Sequence, residues 1–537
     1  MDLWDATQPS LFDFLSNLKR ANGGILADSS VRLPDETPRE PGAVGWAPGA
    51  IDGVGGHHSG YREPRPERVL GAIRSATARR TAEGARALYD TLLEEDCLPV
   101  IDAVIDGVTS DPGIDRRRLR FVASFIARRS PQRVPVKFAI ALLGAISARG
   151  ENHEIFATFG LHEEFALYAV VALWRSARDP EDAVWSAAKA TRGWGRIAAV
   201  ERLDGSTRPE IKRWLLLEGY KNEVMYEYTA LICAMTGGLA EELAQPFFEL
   251  KTRSAAADII RALLSEGPAA GVSRYADASL AMRGYVSVCG QVPIGGRELT
   301  ALLDIQLYLH GAPTSSGDRL DVWTEEERKS CLSLIGDLVA PLRHSERLRK
   351  EVAIGDPATS HYAEAAARRL GLDVWPEVFD RLRSNPLAQS APWWAAMRTD
   401  DSERVRAVVS LAEEVLPLDR IASGPALHTW PTRDVVEHGA LDYVLQDLDK
   451  HPSLGGALIR AGLRSPVVRN RNMALKALSI WPLEGRSVEW SHLLDAAHAV
   501  EPDQQVKARI EDVRSGRPLN NRVIIRGQPD DDAGPAS

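Results

Sequence analysis

Residues 193–198 read Gly-Trp-Gly-Arg-Ile-Ala, which fits the dinucleotide fingerprint of two spaced glycines and a terminal alanine. The chemistry such a turn offers is anion binding. Its glycines let backbone N–H groups approach a pyrophosphate at a helix N-terminus. Glu218 stands near where such a fold places its ribose-binding carboxylate. Context decides the matter, because the fingerprint requires a strand before the turn. Here the preceding segment is DPEDAVWSAAKATR (179–192), with an Asp-Pro start and many alanines. It predicts a helix. The two glycines therefore predict a junction between helices and no nucleotide cradle.

Past the junction, Trp194, Ile197, Ala198 and Glu201 fall at helical steps of three and four and share one face. Ile211, Trp214, Leu215 and Glu218 repeat the pattern in the next helix, and Tyr226 and Tyr228 follow. A carboxylate on an apolar stripe needs a partner, since an unpaired buried charge is costly. Two arrangements answer that need. Trp194, Trp214, Tyr226 and Tyr228 could fill an interlayer core in which tyrosine hydroxyls serve Glu201 and Glu218. Alternatively, these six residues could line a concave pocket with an aromatic wall.

Other chemistry finds little support. His162-Glu163-Glu164 has the letters of an iron-binding His-x-acid pair, but on a helix residues two apart diverge by roughly 200°. Cys289 in GYVSVCGQ is the nearest approach to a haem-thiolate loop, with Gly284 one position too far. His57-His58 lie in a glycine-rich loop and read as exposed. No phosphate-binding lysine loop, nucleophile elbow or His-Glu-x-x-His occurs. Catalytic residues stay unassigned, and neither a metal site nor a cofactor is evident. Cys97, Cys233, Cys289 and Cys331 are far apart, predicting buried thiols in a reducing cytoplasm.

The stretch RRRLRFVASFIARRSPQRVPVK (116–137) holds eight Arg or Lys and no acid. Arg116, Arg117, Arg120 and Arg128 could form a ridge that faces phosphate. The competing expectation is a solvated face balanced by acids on neighbouring helices, which the net charge of -9 favours.

These residues sit in a chain whose pattern is all-α. Across 67–515 apolar residues recur at three and four, as in RLRFVASFIA and FALYAVVALW. Helix starts are marked by Asp179-Pro180 and Ser465-Pro466, and by capping boxes at Thr207–Glu210 and Thr324–Glu327. Gly219 reads as a left-handed helix end. In SPVVRNRNMALKALSIWP (465–482), Val468, Met473, Leu475 and Leu478 are expected inward, with Arg469, Arg471 and Lys476 outward. Short punctuated helices in one run predict an α-solenoid of degenerate HEAT- or armadillo-like helix pairs. Residues 1–66 read as an irregular Gly/Pro-rich arm with a short helix near its start. An internal boundary is expected near 312–318, and 516–537 as a flexible tail. MDLWDATQPS lacks the regions of a signal peptide, and no window approaches a membrane span.

GWGRIAAVERL, followed by EIKRWLLLEGYKNEVMYEYTALICAMTGGL (210–239), resembles a stretch of bacterial proteins called limonene hydroxylases, most clearly over 185–240. That resemblance implies an oxidoreductase hydroxylating a monoterpene, and it transfers no catalytic residue. The residues themselves point to binding: a scaffold that takes a protein or peptide on its concave face. A small apolar ligand is a further candidate, nucleic acid through 116–137 a third reading, and no membrane partner is expected.

Overall fold

The computed structural model describes residues 4, 8–36, 47–58, 65–79, 81–245, 249–265, 267, 269–311, 323–356, 359–427, 436–481 and 488–519. Among them the protein is all-α, with no extended strand. No described helix is long and apolar enough to cross a membrane. The chain divides into two compact units, one of residues 1–37 and 46–340, the other of 38–45 and 341–537. The expected boundary at 312–318 and the final residues 520–537 lie outside the described residues.

Local chemistry starts the helices. Asp179 accepts the N–H of Asp182 and Pro180 opens the helix Pro180–Ala190. Thr324 and Glu327 exchange both bonds of a capping box at Glu325–Leu338. The box expected at Thr207–Glu210 does not form: the helix Pro209–Trp214 has Arg208 at its cap, and Glu210 pairs with that arginine. Nor does Gly219 take a left-handed conformation. The helix widens into a π turn over Leu215–Gly219, where a Cβ on Gly219 would press on Trp214, Leu215 and Cys233.

In the first unit, helices pack largely on near neighbours in sequence. Arg116–Arg129 lies on Arg133–Ile146, which lies on Glu163–Ser176, which in turn lies on Trp194–Arg202. Further along, Glu227–Gly237 packs on Leu250–Ser265, and that on Gly296–Leu309. The Gly/Pro-rich N-terminal stretch is not wholly irregular. The short helix expected near its start is Leu11–Ala21, and a second, Ala50–His58 (AIDGVGGHH), is rich enough in glycine to hide its period.

In the second unit, Val436–Asp447 packs on Val468–Ser479, as do Gly456–Leu463 and Gln504–Arg514. Here an expectation is overturned. Arg471 points inward and is only 1 % exposed. Its guanidinium holds both oxygens of buried Glu501, at 2.8 and 2.9 Å, and donates to the carbonyls of Ser465 and Ala426. Ser465 does not cap the helix in the expected way either. Its hydroxyl accepts the Val467 N–H and meets His438 and Asn470 in a buried network, and the helix begins at Val468.

Candidate functional site

The glycine turn does hold an anion, and the anion comes from the chain itself. Gly193 caps the helix Trp194–Arg202 and has no side chain with which to serve its first amides. Glu163, at the start of the neighbouring helix Glu163–Ser176, supplies the acceptor. Its Oε1 accepts the N–H of Arg192 at 2.7 Å and of Gly193 at 2.9 Å, and its Oε2 accepts that of Gly195 at 2.7 Å. Charge-assisted bonds to a helix N-terminus favour a carboxylate as they would a phosphate. The glycines permit the approach: a Cβ at Gly195 would lie 2.5 Å from Ala166 Cβ and 3.0 Å from Glu163 Oε2. The preceding segment is the helix Pro180–Ala190, so the strand context of a nucleotide fold is missing.

His162 and Glu164 extend this cluster. His162 stands just outside the helix as its cap, so the helical geometry that separates it from Glu164 does not apply. Its Nδ1 accepts the Glu164 N–H at 3.2 Å, and its Nε2 donates to the Val31 carbonyl at 2.7 Å. Burial holds the imidazole below its ordinary pKa, in the neutral form these two bonds require. The Ser29 hydroxyl donates to Glu163 and the Gly49 N–H to Glu164. Residues 29–31 and 49 are therefore fastened to the start of the Glu163–Ser176 helix.

Two cations complete the fastening. The Lys137 ammonium lies 2.7 Å from Asp52 and 2.6 Å from Glu164, all three buried. Burial works against the charged lysine, yet the two carboxylates outweigh it and raise its pKa. Burial likewise opposes ionisation of Glu164, and Lys137, the Gly49 amide and Arg133 outweigh it, so its pKa falls. Arg133 grips Asp35 through two nitrogens and lies 3.2 Å from Glu36.

Between these elements lies a cleft of about 270 Å³. Gly49, Asp52 and Gly53 form one wall, Leu98 and Leu167 another, and Trp194, Ile197, Ala198 and Glu201 a third. Gly53 lies flat on the Trp194 indole, where a Cβ would fall 2.1 Å from a ring carbon. The residues sharing one face of the Trp194–Arg202 helix thus share one wall of the cleft.

The six expected residues do not gather in one place. Trp194 and Glu201 line the cleft, with Trp194 half-buried and Glu201 exposed. Tyr228 is buried, its ring 5.1 Å from that of Trp194. Trp214 is half-buried beneath the Arg196 guanidinium. Glu218 is exposed and pairs with Lys221, because the π turn adds a residue and rotates it off the Ile211–Leu215 face. Tyr226 meets Tyr220 edge-on, and the buried Tyr220 hydroxyl donates to Asp258, so that hydroxyl serves an aspartate rather than a glutamate.

The basic stretch is largely occupied. Arg120 pairs with Glu151 at 2.8 Å and Arg128 with Glu154 at 3.0 Å, while Arg116 donates to the carbonyls of Val108 and Thr109. Arg117 is exposed. All four cysteines are buried and unbridged. Among the described residues, no three His, Cys, Asp or Glu converge as metal ligands. His57 and His58 lie in the helix Ala50–His58, not in a loop.

The residues that build the site most firmly, Asp52, Lys137, His162, Glu163 and Glu164, were not singled out as one group by their sequence. Their signal was a charge set in an apolar run, as Lys137 is in VPVKFAIALL and Glu163-Glu164 before FALYAVVALW. No known protein family, curated protein or solved structure matches this chain. Fold and cleft alone define it, as an all-α protein with an internally capped glycine turn.

Proposed function

We propose that this is a binding protein: an α-solenoid of degenerate HEAT- or armadillo-like pairs that engages its partner at the cleft between Gly49–Gly53 and Trp194–Glu201. The solenoid is supported by the stacking of helices on near neighbours in sequence. One observation carries the binding role. Asp52, Glu163 and Glu164 face the cleft, yet each is already engaged by a cation or amides of the chain. Such groups shape and charge a surface; they are not poised to exchange protons. The partner class is a protein or peptide side chain, or a small molecule of similar size. Four buried, unbridged thiols suit a cytoplasmic setting.

The test is a screen of charged and uncharged fragments by ligand-observed NMR, on the wild type and on Ala198→Trp, which fills the cleft. Fragments that bind the wild type and are lost from the variant support the proposal. A screen yielding none removes it.

A second reading shares the cleft, because the 185–240 stretch that resembles limonene hydroxylases supplies Trp194, Ile197, Ala198 and Glu201 to it. Turnover of limonene by the purified protein would establish that reading. Limonene recovered unchanged with nicotinamide and flavin electron donors present removes it.

A further inference from the structure

We infer that Arg509, in the second unit, receives a carboxylate brought from beyond the helices that pack around it. The inference stands apart from the cleft, whose lining belongs to the first unit.

Arg509 shares one face of the helix Gln504–Arg514 with buried Val506, Ile510 and Val513. That helix packs on Val468–Ser479 and on Val488–Val500. Arginine is seldom buried unless paired, yet Arg509 is only 7 % exposed. Its Nε and Nη2 are covered and meet no acceptor among the described residues. Leaving a buried charged donor unanswered is costly. Burial accordingly lowers the pKa of this guanidinium, with the charge of Asp512 working the other way.

The identity of the two nitrogens points to the ligand. Nε and Nη2 form one edge of the guanidinium, and their N–H groups run parallel, matching the two oxygens of a carboxylate. Elsewhere in this protein that edge holds such a group. Arg133 gives Nε and Nη2 to Asp35 at 3.0 and 2.8 Å, and Arg471 gives them to Glu501 at 2.8 and 2.9 Å. Among the described residues, Arg509 alone has both atoms covered and unanswered.

The neighbouring acids are committed elsewhere. Asp495 pairs with Arg514, Asp512 with Arg517, Glu489 with Arg460 and Glu501 with Arg471, while Glu511 meets His498. Asp503 caps the helix by accepting the N–H groups of Gln505 and Val506. These are all the acids of residues 488–519, and 468–479 contains none. Two sources of a carboxylate are left: a free carboxylate, and the acidic run Asp530-Asp531-Asp532 of this chain. Either reaches the covered edge by local opening. Val488–Val500 buries only Trp490, Leu494 and Ala497, so little apolar contact opposes its movement.

The test is amide hydrogen exchange over residues 504–514, with acetate, inorganic phosphate or chloride added at one ionic strength. It is run on the full chain, on a chain ending at residue 519, and on Arg509→Met and Arg509→Lys in both. Acetate should slow exchange several-fold relative to chloride and leave residues 133–146 unchanged. Both variants should lose the effect; Arg509→Lys keeps the charge but lacks the two-nitrogen edge. An acetate effect in the full chain identifies a free carboxylate as the source. Faster exchange in the shortened chain, restored there by acetate, identifies the run 530–532. No acetate effect in either chain, or one that Arg509→Lys and Arg509→Met retain, overturns the inference. Phosphate slowing exchange where acetate does not overturns the carboxylate assignment.

Discussion

The Glu163 carboxylate accepts the Gly195 N–H at 2.7 Å, across a gap that a single methyl group would close. Gly195→Ala would place its Cβ 2.5 Å from Ala166 Cβ. Overpacking of this kind costs about 1–3 kcal/mol. The urea midpoint should fall accordingly, and an unchanged midpoint would mean the turn is looser than it stands here.

Lys137 is held between two buried acids, so its removal takes the ammonium from Asp52 and leaves Glu164 only the Gly49 amide and Arg133, 3.6 Å away. Lys137→Met should destabilise by about 3–5 kcal/mol. The triple variant with Asp52→Asn and Glu164→Gln should recover much of that loss, because none of the three charges of this group then remains. Chemical denaturation of both variants decides it; a triple variant no better than the single one would contradict the pairing.

His162 gives acid sensitivity a definite sign. Burial lowers its folded pKa, so below about pH 6.5 the unfolded chain takes up more protons than the folded one. Its contribution is present above that pH and lost as pH falls. Protonation also puts a hydrogen on Nδ1, against the Glu164 N–H it now accepts. Glu164, with its own pKa lowered, loses its contribution further into acid. Melting temperature should drop between about pH 7 and 5 in the wild type and less in His162→Gln, whose amide keeps a donor for Val31. Parallel profiles would show that His162 is not the sensor.

In the second unit, the Arg471–Glu501 pair is 1 % exposed on both sides. Arg471→Met alone should cost about 3–5 kcal/mol, and Arg471→Met with Glu501→Gln clearly less. A double-mutant cycle reads the difference; additive losses would deny the coupling.

The helices were legible because their signals are local. Asp179-Pro180 and Thr324–Glu327 act within one turn, and the 179–192 segment revealed the missing strand. The wall formed by Trp194, Ile197, Ala198 and Glu201 follows from helical spacing alone. What could not be read depends on distant partners. Glu163 and Gly195 are 32 residues apart and Lys137 and Asp52 are 85 apart, and nothing in either stretch announces the other. Arg471 read as outward because arginine is seldom buried, and only Glu501, thirty residues on, reverses that. Glu218 missed its expected face through one π turn, which adds a residue without a sequence mark.

That the glycine turn is filled by the protein's own carboxylate is tested most directly by amide hydrogen exchange over residues 192–196, in wild type and in Glu163→Gln. These amides should be strongly protected in the wild type and unaffected by added pyrophosphate or NADH. In the variant they should exchange at least about ten-fold faster, while the Arg133–Ile146 helix keeps its protection. Exchange at these amides that slows on adding pyrophosphate, or that Glu163→Gln leaves unchanged, would contradict the account.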